Sequence, residues 1–173
     1  MNHDQEFKLE KEIQVAGISV RTTNAEEGGP EGRLPGLWDR YFREGVEQPD
    51  TLQNPHLLYA VYTDYESDAS GAYTVILGHE LQESAEGGGA LYSVERQHEN
   101  GYRKAAISAS GYKVFETRRG PVYQVVAEAW GQIWAYFQNS SEQRAYTADY
   151  ELYDLRNFDP ENAVVSIYIA LKS

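Results

Sequence analysis

A single glutamate lies within an aromatic segment near the C-terminus, where it is chemically out of place. In TADYELYD, residues 147–154, Tyr150, Leu152 and Tyr153 are typical of a β-strand, since aromatic and branched side chains suit a pleated, half-buried surface. Glu151 lies among them, although glutamate is depleted in strands and is rarely buried without a partner. If Glu151 faces a pocket, burial raises the pKa of its carboxyl group and leaves a charge without a counterion, which a cationic guest would supply.

The overall composition limits the chemistry that the chain can perform. Its 173 residues, 41% of them hydrophobic, suit a single globular domain with a substantial core. The absence of cysteine excludes disulfides, thiolate catalysis and cysteine-ligated zinc. The four histidines show no ligand spacing, so we expect no metal and no cofactor. The net charge of −12 argues against nucleic acid as a direct partner. A charged N-terminal stretch, and no apolar run near the roughly 18 residues of a membrane span, predict a cytoplasmic protein without membrane contacts.

Two amphipathic helices are predicted in addition to the strands. Apolar side chains recur at spacings of three and four over residues 34–45 and 120–139, and a proline lies near the start of each segment. Strand signals surround both helices in the same order, so each half of the chain reads strand, helix, strand, strand. The halves also align residue by residue, because Trp38 matches Trp130 at an offset of 92 and the strands match at 91 or 92. We interpret this as an internal duplication.

The duplication predicts an α+β fold. We expect two similar strand–helix–strand–strand modules that form one antiparallel sheet, with the helices on one side. Residues 1–173 are expected to be one domain. Its first module is predicted at 7–80, a linker with three consecutive glycines at 81–102, and its second module at 103–173.

Strand side chains alternate between the two faces of a sheet, and this period assigns each residue to a face. One set is predicted to lie under the helices: Tyr59, Val61, Tyr73, Val75, Leu77, Tyr150, Leu152, Val165, Ile167, Ile169 and Leu171. The other set is predicted on the opposite face: Ala60, Tyr62, Thr74, Ile76, Asp149, Glu151, Tyr153, Ser166, Tyr168 and Ala170. If the modules pair edge to edge, this second face lines one concavity with an aromatic wall and a carboxylate, which is typical of a ligand site.

We therefore predict a ligand-binding site with Glu151 as its charged anchor. The other predicted members are Tyr62, Tyr153, Tyr168 and Ile76 in the wall, Ala60 and Ser166 in the floor, and Trp38 and Trp130 at the rim. The two tryptophans also suit core packing, since they lie on helical apolar stripes. Each tyrosine could instead rest against the linker, and Glu151 could be a solvated carboxylate on an edge strand.

Several stretches resemble the GyrI-like effector-binding domain of AraC-type and MerR-type multidrug regulators, and in particular its integron-associated effector-binding proteins. The similar stretches run from about residue 10 to the end of the chain: VAGISVRTTN, LWDRYF, YAVYTDYESDASGAYTVILG, GYKVFETRRGPVYQVVAEAWGQIW, DYELYD and SIYIALK. The resemblance implies a pseudo-twofold pair of these modules, with a ligand cleft between them. It also implies that the guests are bulky lipophilic cations and that Glu151 matches the glutamate that anchors them.

The chain departs from this family's pattern in two places. Many members have a second acidic residue and a proline in the last strand, where this chain has Ser166 and Ala170. The resemblance therefore implies one carboxylate at the inner site instead of two. The regulators also carry a helix-turn-helix before the domain, whereas the first strand here begins within the first fifteen residues, so no DNA-binding half is expected.

The pattern and the resemblance together favour a stand-alone binding protein for small-molecule effectors or drugs over an enzyme. One alternative is a hydrolase, as reported for some relatives, in which Glu151 acts as a general base with Tyr153 or Tyr62 as proton donor. The other alternative is a protein-binding modulator, whose partner is gyrase or a transcription regulator that supplies the DNA-binding domain in trans.

Overall fold

The computed structural model describes residues 5–44, 54, 56–81, 102–156 and 158–173. The elements follow in this order: β1 (Gln5–Leu9), β2 (Ile13–Thr22), α1 (Asn24–Glu27), α2 (Leu34–Glu44), β3 (Leu57–Thr63), β4 (Tyr73–Glu80), β5 (Tyr102–Ile107), β6 (Ser110–Glu116), α3 (Val122–Asn139), β7 (Ala148–Asp154) and β8 (Ser166–Ala170). The two predicted amphipathic helices are present as α2 and α3, and their ends lie within two residues of the predicted bounds.

The strands form one antiparallel sheet of eight, in the order β1-β6-β8-β7-β3-β4-β2-β5. The order is palindromic, because β2, β3 and β4 of the first half correspond to β6, β7 and β8 of the second. The halves meet where β3 pairs with β7, and Ala60 lies directly opposite Glu151 there. The arrangement confirms the predicted α+β fold of two related halves. The module boundaries stay a prediction, and residues 82–101 of the predicted linker lie outside the described residues.

The first strand of each half pairs with the other half. β1 lies beside β6, with Phe7 opposite Tyr112, and β5 lies beside β2, with Lys104 opposite Ala16. Each half therefore completes the sheet of its counterpart, and the two halves share one continuous set of backbone hydrogen bonds.

Two glycines allow β2 and β4 to approach closely. Gly17 lies opposite Gly78 in the register of these strands. A Cβ atom on Gly17 would lie 2.0 Å from the carbonyl oxygen of Leu77, which is backbone and cannot move aside independently. Only glycine fits at this position without a shift of the strand.

Helices α2 and α3 pack on the same face of the sheet. Leu37 and Tyr41 of α2, and Ala129 and Ile133 of α3, are buried in one apolar cluster with residues of the central strands. The N-terminus of α2 is held by Glu27 of α1, whose carboxylate accepts backbone N–H groups of the residues that open the helix, at 2.7 and 3.1 Å. A carboxylate in this position also offsets the positive end of the helix dipole.

A buried histidine joins α2 to the sheet. His79 of β4 has its Nδ1 3.0 Å from the carbonyl oxygen of Leu57 and its Nε2 2.9 Å from the hydroxyl oxygen of Tyr41. A carbonyl can only accept, so Nδ1–H donates to Leu57. Burial lowers the pKa of His79, which favours the neutral ring, and Nε2 of the neutral ring accepts from the hydroxyl of Tyr41.

The predicted faces of β3 and β7 are wrong. Four residues predicted under the helices lie instead in an apolar cluster on the opposite face: Tyr59, Val61, Tyr150 and Leu152. Five residues predicted on that opposite face lie on the helix side: Ala60, Tyr62, Asp149, Glu151 and Tyr153. The physical reason is that both faces of these strands are buried, so hydrophobic alternation does not identify the helix side. The faces of β4 and β8 are as predicted, with Tyr73, Val75, Leu77, Ile167 and Ile169 under the helices and Ile76, Tyr168 and Ala170 opposite them.

Candidate ligand-binding site

A cavity of about 1030 Å³ lies on the helix side of the sheet, between α2 and α3. Its lining comes from both halves of the chain, and the first half contributes residues of α1 as well as of α2. Aromatic side chains dominate this lining: Trp38, Phe42, Tyr62, Tyr65, Tyr73, Tyr123, Trp130, Trp134, Tyr153 and Phe158. Its charged lining residues are Glu27, Arg144 and Glu151.

The structure separates the predicted site residues into two groups. Five of them line the cavity: Trp38, Tyr62, Trp130, Glu151 and Tyr153. The other four do not line it: Ala60 is buried in the sheet beside Glu151, and Ser166, Ile76 and Tyr168 belong to the opposite face. The concavity predicted on that opposite face is therefore replaced by a cavity under the helices, and the ligand-binding role of each residue stays a prediction.

Glu151 is buried at 1% exposure and is fully hydrogen-bonded. Its Oε2 accepts the hydroxyl of Tyr62 and the indole N–H of Trp130, both at 2.7 Å, and its Oε1 accepts the hydroxyl of Tyr153 at 2.5 Å. The alternative of a solvated carboxylate on an edge strand is thus excluded, because β7 is a central strand.

The partners of Glu151 are all neutral. Burial raises the pKa of its carboxyl group, and the three hydrogen bonds offset part of that effect. Burial and the nearby carboxylate raise the pKa of the Tyr62 and Tyr153 hydroxyl groups well above the usual value, so both remain donors. No arginine, lysine or histidine of the described residues forms an ion pair with Glu151. The carboxylate is therefore satisfied in hydrogen bonds but not in charge.

Four elements position this carboxylate. Tyr62 comes from β3, Trp130 from α3, and Tyr153 from β7, two residues along the same strand as Glu151. Trp38 of α2 packs edge-on against Tyr153 with ring centroids 5.0 Å apart, and Tyr62 lies 5.0 Å from the Trp130 ring. Side chains from both halves of the chain thus surround one carboxylate.

A second polar group of the cavity was not predicted. The guanidinium of Arg144 lies 2.6 Å from Asp149, which also accepts the hydroxyl of Tyr65 at 2.5 Å and the backbone N–H of Ala170 at 2.8 Å. Arg144 lies in the segment SSEQRAYT, which has no period, so nothing in the sequence distinguishes it from a solvated arginine. Asp149 was predicted on the opposite face for the same reason as Glu151, because the alternating side chains of β7 were assigned to the wrong faces of the sheet.

Glu27 is a further carboxylate in the cavity wall. It lies near Tyr73, whose pKa is raised by burial and then by Glu27 and Glu151. The single inner carboxylate implied by the departure at Ser166 is therefore not the whole charge of the cavity. Ser166 lies opposite Leu152 in the sheet, on the face away from the helices, so a serine there does not change the charge beside Glu151.

Membrane spans and metal sites were also considered among the described residues. None of their helices is long and apolar enough to cross a membrane. No group of three or more acidic or histidine side chains among them is arranged to hold a metal ion.

A sheet of two related halves, with an aromatic cavity and a buried carboxylate under its helices, defines the class of effector-binding domains. Residues 7–171 match the family described as integron-associated effector binding protein, and the chain belongs to this family. It is 32% identical over 160 residues to YobU of Bacillus subtilis, a candidate transcriptional regulator, with 92% of each chain covered.

Solved structures show the same fold. The integron cassette protein VCH_CASS2 of Vibrio cholerae is 30% identical, with a TM-score of 0.71 and coverage of 97% of this chain and 95% of the other. SAV2435, whose structure was determined bound to tetraphenylphosphonium, is 18% identical, with a TM-score of 0.68 and coverage of 99% and 94%. The resemblance to integron-associated effector-binding proteins is thereby confirmed.

Proposed function

We propose that this protein binds a bulky lipophilic cation in the cavity between α2 and α3, and that Glu151 supplies the charge that selects it. The observation that carries the proposal is the state of Glu151, which is deeply buried and surrounded by neutral hydrogen-bond donors. Burying a carboxylate without a counterion costs free energy. A cation in the cavity recovers part of that cost, so binding is favourable where the charge is most desolvated.

The size and the walls of the cavity support a large aromatic guest. A volume of about 1030 Å³ lies at the upper end of ordinary ligand sites, which is enough for several fused or linked rings. Ring faces attract cations through their negative quadrupole, and the cavity presents these rings from both helices. Phe42 and Tyr123 are 60% and 77% exposed, so aromatic surface extends from the cavity to solvent.

SAV2435 supports the same guest class. This fold accommodates tetraphenylphosphonium in that protein. A hydrolase is less well supported, because a general base must take a proton from a water molecule or substrate. Both oxygens of Glu151 already accept hydrogen bonds, so the geometry favours binding without turnover.

The test compares two guests of the same shape and opposite charge. Tetraphenylphosphonium and tetraphenylborate each carry four phenyl rings on one central atom. Titration calorimetry should give roughly micromolar affinity for the phosphonium, about −8 kcal/mol, and much weaker binding of the borate. Equal affinities would mean that the rings select the guest without the carboxylate. Preference for the borate would overturn the proposal.

A further inference from the structure

Arg144 brings a buried cation to the wall of the cavity, and only part of its guanidinium is used. Its side chain is 4% exposed, and its Nη2 lies 2.6 Å from Asp149 Oδ2 and 3.3 Å from the hydroxyl oxygen of Tyr65. Its Nε is buried and donates to no acceptor among the described residues. An arginine does not lose its proton in a protein, so this N–H remains a donor. Leaving it unpaired destabilises the fold, which suggests a use for it.

The chain around Arg144 is held in an uncommon conformation. Tyr146 has a φ of 56°, in the left-handed region that bulky side chains rarely adopt. Its ring lies 4.5 Å from the guanidinium carbon, and the rings of Tyr65 and Trp130 each lie 5.8 Å away. These rings hold the guanidinium in place through cation–π contacts. A strained residue that fixes a charged group at a cavity is a feature of binding sites.

We propose that Arg144 is a second recognition point of the cavity, which receives an uncharged acceptor oxygen, such as a carbonyl, from the guest whose cationic centre lies near Glu151. The inference rests on the proposed function and narrows its ligand class to lipophilic cations with an acceptor oxygen on an aromatic arm. The acceptor bonds to guanidinium N–H groups that Asp149 does not use.

Trp130 sets the relation between the two recognition points. Its indole N–H donates to Glu151, and its ring faces the guanidinium of Arg144. The same indole thus contacts both groups, the carboxylate at its N–H edge and the guanidinium over its ring face. A guest of three or four aromatic rings that packs along this indole can contact both groups at once.

The charges around Arg144 favour an uncharged oxygen over a carboxylate. Asp149 is fully buried and already pairs with the guanidinium, so this pair carries no net charge. Glu151 and Glu27 line the same cavity, and the whole chain has a net charge of −12. An anionic group on the guest would therefore be repelled, whereas a carbonyl oxygen gains the hydrogen bond without that repulsion.

The experiment uses phosphonium cations that differ in one substituent. (4-Acetylphenyl)triphenylphosphonium carries a carbonyl, and (4-isopropylphenyl)triphenylphosphonium has nearly the same shape without an acceptor. The (4-carboxyphenyl) compound is zwitterionic at neutral pH and places a carboxylate where the other two have the acetyl or isopropyl group. Titration calorimetry on the unaltered protein should give about three- to tenfold tighter binding of the acetyl compound than of the isopropyl compound, the range for one hydrogen bond.

Two variants assign this preference to Arg144. Arg144→Lys keeps a positive charge beside Asp149 but removes Nε–H and the planar fork. The preference for the acetyl compound should then fall below about twofold, because the hydrogen bond that produces it is lost. The double variant Arg144→Met with Asp149→Asn removes both charges together and serves where the lysine variant does not fold. Arg118→Met is the matched control, because Arg118 forms an exposed pair with Glu128 away from the cavity, and the preference should persist in it.

Each result separates this inference from the proposed function. Equal binding of the acetyl and isopropyl compounds by the unaltered protein overturns the role of Arg144. Such a result does not contradict the proposal that a cation binds near Glu151. Tighter binding of the carboxyl compound overturns the choice of an uncharged acceptor. If the acetyl compound is still preferred in both Arg144 variants, its oxygen bonds to a residue other than Arg144, and the inference is overturned. If none of the phosphonium compounds binds, the proposed function fails, and this inference fails with it.

Discussion

Replacing Glu151 by glutamine removes the charge from the cavity while it keeps the shape. The glutamine oxygen can take the place of Oε2 and still accept from Tyr62 and Trp130, each at the present 2.7 Å. The amide nitrogen then faces the hydroxyl of Tyr153, which loses its acceptor. The variant therefore tests charge almost separately from packing.

The expected loss of affinity follows from Coulomb's law. Tetraphenylphosphonium carries its charge on a phosphorus atom shielded by rings. We therefore take about 7 Å as the distance between this charge and the carboxylate. With an effective dielectric constant of about 20, this separation gives about 2 kcal/mol, a factor of about thirty in Kd. Titration calorimetry of this cation on both proteins at neutral pH measures the difference directly.

The stability of the guest-free protein gives the second part of the test. In the variant, the amide N–H can donate to the hydroxyl oxygen of Tyr153, but the Tyr153 O–H loses its acceptor, at a cost of about 1–3 kcal/mol. Removing a desolvated carboxylate returns several kcal/mol, so we expect the melting temperature to be unchanged or higher. If glutamine binds the cation within twofold of the unaltered protein and the melting temperature drops, Glu151 is a structural carboxylate and the reasoning is refuted.

Three further outcomes are expected. Because burial raises the pKa of Glu151 above its usual 4.5, the guest-free protein should gain stability as the pH falls through that raised pKa, while calorimetry should show cation affinity falling over the same range. His79 has the opposite sign: burial lowers its pKa below 6.5, so its contribution is present above pH 6.5 and is lost as the pH falls through the folded pKa. His79→Gln should therefore lose less stability than the unaltered protein between pH 7.5 and pH 5 in thermal melts, and an equal loss would contradict this. Gly17→Ala places a Cβ against the Leu77 carbonyl oxygen and should cost at least about 2 kcal/mol in urea unfolding, whereas Gly131→Ala, with open space around it, should cost little.

The sequence predicted the structure correctly where the spacing of apolar residues was compatible with only one arrangement. The helical stripes and the repeat offset predicted α2, α3 and an antiparallel sheet of two related halves, and the hydrophobic alternation of β8 placed Ile167 and Ile169 correctly under the helices. These features follow from local spacing, which does not depend on distant partners.

The phase of β3 and β7 could not be predicted in the same way. Tyr150 stacks on Tyr168 with ring centroids 4.5 Å apart on the face away from the helices, so that face is apolar and aromatic as well. A strand with two buried faces does not reveal which one lies under a helix. The cross-strand pairing of Glu151 with Ile167 decides the face, and pairing depends on the whole sheet.

Arg144 could not be predicted from its neighbours in sequence. Its burial depends on Asp149, Tyr65 and Trp130, which come from β7, the segment after β3, and α3. These contacts form only in the folded chain, and an arginine in a polar segment usually lies in water. Pairing with a buried aspartate reverses this expectation.

The exchange of first strands between the halves has a consequence for how the chain folds. β1 must wait for β6, which is synthesised roughly a hundred residues later, and β2 lacks its outer neighbour until β5 is made. Until β5 is made, the outer edge of β2 therefore has no strand beside it, and an unpaired strand edge is a template for pairing with other chains.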